Sequence, residues 1–225
     1  MPDLHHTIPI SDPMHDRALG CLLGQACGDS LGSQVEFDPH HIIIELPRRE
    51  REDLIHGGCW NTMAGQLTDD TELALELGRA ILEKGYYSPI EALGGYVAWL
   101  RSEPFDCGNT ISRALSAVVD QAHIGRRALG DTMKAATPDS QANGALMRVS
   151  PLGVFGALQD AQRVTDWAAQ DARITHPHPV CVDANRVFTA TIAHAIREGT
   201  DPQATAVFAA GCAQRLDAHP DVQTL

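Results

Sequence analysis

No C-x-x-C pair occurs in the chain, although cysteines stand at positions 21, 27, 59, 107, 181 and 212. That spacing excludes a zinc ribbon and a thioredoxin-like redox motif, and scattered single cysteines read as reduced, mostly buried thiols. Basic blocks are absent too. Lysine and arginine total 17 against 29 acids, a formal charge of −12, whereas a nucleic-acid backbone rewards clustered cations. Nucleic acid is therefore not expected as a partner. A small phosphate-bearing ligand stays compatible, because helix N-termini and bound metal can meet its charge locally. No signal-like segment opens the sequence, and the longest apolar stretch, 19–31, is broken by Gln25 and Asp29. The expectation is a cytoplasmic protein with no membrane span. A P-loop, a G-x-G-x-x-G turn and a Ser/His/Asp elbow are also missing, which removes three large enzyme classes.

What is present is helical punctuation. Neither repeats nor a Ser/Gly linker divides the 225 residues, and 44% are hydrophobic, enough for one domain with a core. Residues 1–15 read as a flexible arm and 16–225 as a single domain. Helices are expected over 16–31, 73–84, 89–102, 109–123, 131–136, 161–174, 180–198 and 202–216. Gly85 closes the second where a left-handed residue is wanted, and Pro179 can open the seventh. Pro151 breaks any continuous helix over 145–157. Residues 40–46, with Ile42, Ile43 and Ile44 in a row, form the one β-like piece or an extended loop. Residues 47–53 read as charged and exposed. Gly20, Gly24 and Gly28 share a stripe on the first helix, and a close backbone crossing would explain them. It would not explain Asp29 in the same run.

The stretch Leu67-Thr68-Asp69-Asp70-Thr71-Glu72 carries the strongest chemical signal. Thr68 or Asp69 can cap the following helix, with Glu72 reaching back as in a capping box. Capping accounts for one acid. Two adjacent acids between two hydroxyls repel each other unless a cation sits there, and hard oxygens suit magnesium, manganese or calcium. Four further stretches lie at helix ends or loops: Glu36; Asp106-x-Gly108-Asn109; Asn143-Gly144 with Arg148; and Thr175-His176. Each has an ordinary reading as well. Asp106 and Asn109 serve turns and caps, Asn143-Gly144 is a common turn pair, Arg148 reads as a surface cation and His176 as a helix C-terminal residue.

The order of these pieces is specific. Gly24-x-x-x-Gly28-Asp29-Ser30-Leu31-Gly32-x-x-x-Glu36, then Thr68-Asp69-Asp70-Thr71, then Asp106-x-Gly108-Asn109-Thr110, then Asn143-Gly144-Ala145-Leu146-Met147-Arg148, then Thr175-His176 with Asp183 resembles the ADP-ribosylglycohydrolase family from about residue 17 to 199. The resemblance implies an all-α orthogonal bundle with two Mg²⁺ or Mn²⁺ ions in a central cleft. It implies hydrolysis that frees ADP-ribose from a protein side chain or a small ADP-ribose conjugate, by a monomer. Carried over residue by residue, Thr68, Asp69 and Asp70 are metal ligands, and Glu36 and Asp69 are catalytic. Asp106, Gly108, Asn109, Asn143, Gly144 and His176 meet the ligand. Glu36 is either general acid toward the leaving atom or base toward water. The family's second aspartate-rich segment, of the Gly-Asp-Thr-Asp-Thr kind, has no match here. The resemblance thus implies a chain that is C-terminally incomplete, as a fragment or a shortened form, with half a metal site. A non-catalytic ADP-ribose binder of immunity type is the rival expectation, and a metal-dependent phosphoesterase the third.

Overall fold

The computed structural model describes residues 12–47 and 52–224. The chain within them is all-α, with no strand beyond an isolated bridge between Gly57 and Thr62. The helices are α1 (Pro13–Gly32), α2 (His40–Glu45), α3 (Asp69–Lys84), α4 (Pro89–Arg101), α5 (Asn109–Ser116) and α6 (Arg126–Ala135). They continue as α7 (Ser150–Gly156), α8 (Ala161–Thr175), α9 (Pro179–Glu198), α10 (Pro202–Arg215) and α11 (Pro220–Gln223). Proline and glycine set many of the ends. Pro13, Pro89, Pro151, Pro179 and Pro202 each sit in a first turn, where a missing N–H costs nothing. Gly85 (φ 74°) and Gly199 (φ 68°) close α3 and α9 in the left-handed conformation, which only glycine adopts without strain.

The main core lies where α3, α4, α5, α7 and α8 meet, around Leu73, Leu77, Leu93, Tyr96, Ile111 and Leu152. Leu77 is fully buried, and a buried leucine contributes roughly 1.5–3 kcal/mol. A smaller cluster of Val187, Ala190, Cys212, Ala213 and Val222 joins α9, α10 and α11. The main core holds the N-termini of α3 and α5 and the C-terminus of α8, where Asp69, Asp70, Asn109 and His176 lie.

Several expectations about the fold fail. The stretch 40–46 is not β-like: it forms the short helix α2, with Ile42 and Ile44 exposed. β-branched residues favour strands when a partner surface packs them, and none of the described residues offers one. The glycine stripe of α1 is not a tight crossing either, since a Cβ at Gly20, Gly24 or Gly28 would meet no atom within 4 Å. Instead α1 is tied down by polar side chains. Arg17 Nε donates to the Ile196 carbonyl at 2.7 Å, and Gln25 Nε2 to the Met147 carbonyl at 2.8 Å. The thiols are all free, but only Cys181 and Cys212 are buried, and Cys27 and Cys59 are exposed. Lastly, α1 starts at Pro13, capped by Asp12, so 13–15 belong to the helix rather than to an arm. The rest of that arm, 1–11, and residues 48–51 of the charged segment lie outside the described residues.

Candidate active site

The site grows from the start of α3. No side chain within the helix caps it: the Asp29 carboxylate, reaching over from α1, does so. Asp29 Oδ1 accepts from Thr68 Oγ1 at 2.6 Å, and Oδ2 accepts from the N–H groups of Thr68 at 3.0 Å and Thr71 at 3.2 Å. An acid at this place satisfies first-turn donors and opposes the positive helix end. The capping-box expectation is thereby corrected, because Glu72 does not reach back. Its Oε2 accepts from Trp99 Nε1 at 2.7 Å. With capping done from a distance, Asp69 and Asp70 are both released for other work.

A cleft of about 450 Å³ receives them. Glu36, Asp69, Asp70, Asp106, Gly108, Asn109, Asn143, Gly144 and His176 all line it, so every candidate site residue but Thr68 converges there. Thr68 borders an adjoining recess with Asp29, and Glu36, Asp70 and Asn143 line both spaces. Aromatic Phe37 and Trp60 also face the cleft. Trp60 Nε1 donates to Glu36 Oε2 at 2.8 Å and holds that carboxylate as an acceptor. The Gly108 N–H at the start of α5 donates to Asp69 Oδ2 at 3.3 Å. Among the described residues, neither lysine nor arginine lines the cleft or the recess.

The electrostatic result follows from crowding. Burial, and then the neighbouring charges of Asp69, Asp29, Glu36 and Asp106, push Asp70 up to about 7. Asp106 reaches about 7 for the same reasons, burial first and Asp69 next. Asp69 is raised as well, by burial and by Glu36 and Asp29, against the pull of the Gly108 N–H. A carboxylate held near neutral can carry a proton in catalysis or bind a cation that restores its charge. The donor chemistry, hard oxygens in negative excess, fits Mg²⁺ or Mn²⁺. Asp69, Asp70 and the Thr68 hydroxyl oxygen are the groups that could hold such a cation, while among the described residues no three His, Cys, Asp or Glu side chains gather in a metal-holding group.

Behind the cleft, Arg148 is no surface cation. It is wholly buried, pairs with buried Asp171 at 3.1 Å, and donates to the Gly144 carbonyl at 3.2 Å. His176 is buried beside it and pushed down to about 4, by burial first and then by the Arg148 charge, so its ring is neutral. Gly144 must be glycine, because a Cβ there would stand 2.8 Å from His176 Cε1 and 2.8 Å from Ile111 Cδ1. Asp183 lies away from the cleft, accepting from the His219 N–H and pairing with Arg186. Sequence reasoning missed Trp60 and left Asp29 without a role. The signal for Asp29 was an acid inside an apolar helical run; Trp60 gave none beyond its place in the loop before Thr68.

Comparison with known proteins gives the family. The family model for ADP-ribosylglycohydrolase matches residues 11–223. The chain is 35% identical over 167 residues to the ADP-ribosyl-[dinitrogen reductase] glycohydrolase of Rhodospirillum rubrum, covering 74% of this chain and 53% of that protein. It is 28% identical over 198 residues to the ADP-ribosylarginine hydrolase Tri1 of Pseudomonas putida (strain GB-1), covering 84% and 49%. It thus spans about half the length of the curated relatives it matches. A solved structure described as an ADP-ribosylglycohydrolase-related protein complex superposes with a TM-score of 0.74 at 29% identity, over 94% of this chain and 66% of that one. The chain belongs to the ADP-ribosylglycohydrolase family.

Proposed function

We propose that the protein hydrolyses the bond between the anomeric ribose carbon of ADP-ribose and a modified protein side chain, arginine first among candidates, with Mg²⁺ or Mn²⁺. The observation that carries this reading is the convergence of Glu36, Asp69, Asp70 and Asp106 on one cleft, which no lysine or arginine among the described residues lines. Cleavage builds positive charge on the ribose ring, and fixed carboxylates stabilise that state more than the ground state. Held by Asp69, Asp70 and Thr68, a divalent cation would orient ribose hydroxyls and lower the pKa of a bound water. Water adds to the anomeric carbon, the bond to the side-chain nitrogen breaks, and the proton lost by water reaches that nitrogen through Glu36. The cleft also suits a guanidinium, since carboxylates and the aromatic side chain of Trp60 line it. Arginine linkage agrees with the name of the Pseudomonas relative.

We take the protein to be a cytoplasmic monomer, to be checked by fractionation and light scattering. Among the described residues no helix is long and apolar enough to cross a membrane. The activity is tested by following free ADP-ribose released from an arginine-ADP-ribosylated protein. Glu36→Gln keeps the shape and removes the proton-transfer group, so it should lower kcat while leaving ADP-ribose affinity nearly unchanged. Tight ADP-ribose binding without release would make the protein a non-catalytic binder; absence of both would end the reading.

A further inference from the structure

His176 is fully buried, yet its Nε2 has no hydrogen-bond partner among the described residues. The ring lines the cleft. A buried polar atom with no partner is costly and calls for an explanation. The other ring nitrogen supplies the start of one. Nδ1 lies 2.8 Å from Thr175 Oγ1, and that same oxygen accepts from Arg148 Nη1 at 3.0 Å. A guanidinium only donates, and a threonine hydroxyl has one hydrogen to give. With one lone pair already taken by Arg148, the hydroxyl hydrogen needs an acceptor, and Nδ1 of His176 is the one that the described contacts provide.

Donation from Thr175 leaves Nδ1 unprotonated. The ring is neutral in this buried place next to the Arg148 charge, so its single proton belongs on Nε2. The Nε2–Cε1 edge faces Gly144, whose missing Cβ would otherwise stand 3.1 Å from Nε2. Arg148 fixes both sides of this arrangement. It donates to Thr175 and to the Gly144 carbonyl, and is itself held by the Asp171 carboxylate and carbonyl, each at 3.1 Å. Tyr96 donates to the other oxygen of Asp171 at 2.8 Å and lies under the guanidinium. Every member of that chain is buried, so its geometry is set before any ligand arrives.

We infer that Arg148 and Thr175 are positioning residues that lock His176 in its Nε2–H tautomer, so that the ring offers a hydrogen-bond donor to an acceptor oxygen of the ADP-ribose group. The tautomer half stands on geometry alone; the ligand half rests on the proposed hydrolase reading. The relay also discriminates, because a donor rejects a ligand that places an N–H there.

The test uses the full chain with ¹⁵N-labelled histidine. In the ligand-free protein, His176 should show a protonated, pyrrole-type Nε2 and an unprotonated, pyridine-type Nδ1. Thr175→Val should mix the tautomers and raise the Kd for ADP-ribose about three- to tenfold, the worth of one neutral hydrogen bond. Thr175→Ser, which keeps the hydroxyl, should restore both readouts. A proton on Nδ1 in the wild type overturns the relay whatever binds. So does a Thr175→Val protein with unchanged nitrogen shifts and unchanged affinity. A wild type with the expected tautomer that binds ADP-ribose without moving the Nε2 resonance overturns the ligand contact. If the tautomer is as stated but ADP-ribose does not bind at all, the relay is upheld. The ligand assignment then falls together with the hydrolase reading.

Discussion

Asp29 offers the sharpest single perturbation, because one carboxylate does the work of a helix cap across 39 residues of sequence. Asp29→Ala would remove the acceptor of two first-turn N–H groups and of the Thr68 hydroxyl. Loss of an N-cap costs about 0.5–2 kcal/mol, and a hydrogen bond to a charged acceptor about 1.5–3 kcal/mol. Against this stands relief of repulsion, since Asp29 is one of the charges that raise Asp69, Asp70 and Asp106. The half-buried donors outweigh it, and a net loss of about 2–3 kcal/mol is expected. For a chain of 225 residues that lowers the melting temperature by roughly 4–12 °C. Asp29→Asn keeps one carbonyl acceptor and should lose about half as much. Thermal unfolding followed by circular dichroism reads all three proteins. Should Asp29→Ala melt together with the wild type, the cap is not what orders the start of α3.

The acids make stability depend on pH in an unusual direction. Asp70 and Asp106 rise from 3.8 to about 7 on folding, so the folded state holds protons that the unfolded chain has already lost. Metal-free protein should therefore be most stable below the unfolded value and lose stability as pH rises from about 4 to about 7. Mg²⁺ at saturation should recover the loss by binding the folded state; melting curves across pH, with and without metal, check this. Gly144→Ala should push the His176 ring out of place and cost about 1–3 kcal/mol of stability, together with weaker ADP-ribose binding by calorimetry. Trp60→Phe removes the N–H donated to Glu36 while keeping an aromatic ring. A kcat lowered about tenfold with little change in ADP-ribose affinity is expected.

Most helices were legible because local signals and tertiary packing agree. Leu73, Leu77 and Ile81 repeat at helical spacing and are buried on one face of α3, and Gly85 ends that helix as its position demands. Pro179 and Gly199 bracket α9 in the same way. Local signals misled where packing is absent. Ile42 to Ile44 have strand-like composition, yet they sit in an exposed helical turn. The glycines of α1 look like a crossing and face open space. At the site, single residues were uninformative, since Asp106, Asn109 and Asn143 also fit ordinary caps and turns. Their order along the chain carried the information. The roles of Asp29 and Arg148 depend on partners in distant parts of the chain, so spacing could not disclose them. Burial of Arg148 against Asp171 joins the turn before α7 to α8, a contact that no periodicity encodes.

The central claim is that the carboxylate cleft frees ADP-ribose from a modified side chain with the help of a divalent cation. Release of ADP-ribose from an arginine-ADP-ribosylated protein, measured with and without Mg²⁺ for the wild type and Asp70→Asn, tests it most directly. The account predicts release that depends on Mg²⁺ and is lost in Asp70→Asn, because that substitution removes one of the hard anionic ligands. Release at the same rate in both proteins, or none above the protein-free background, would contradict it.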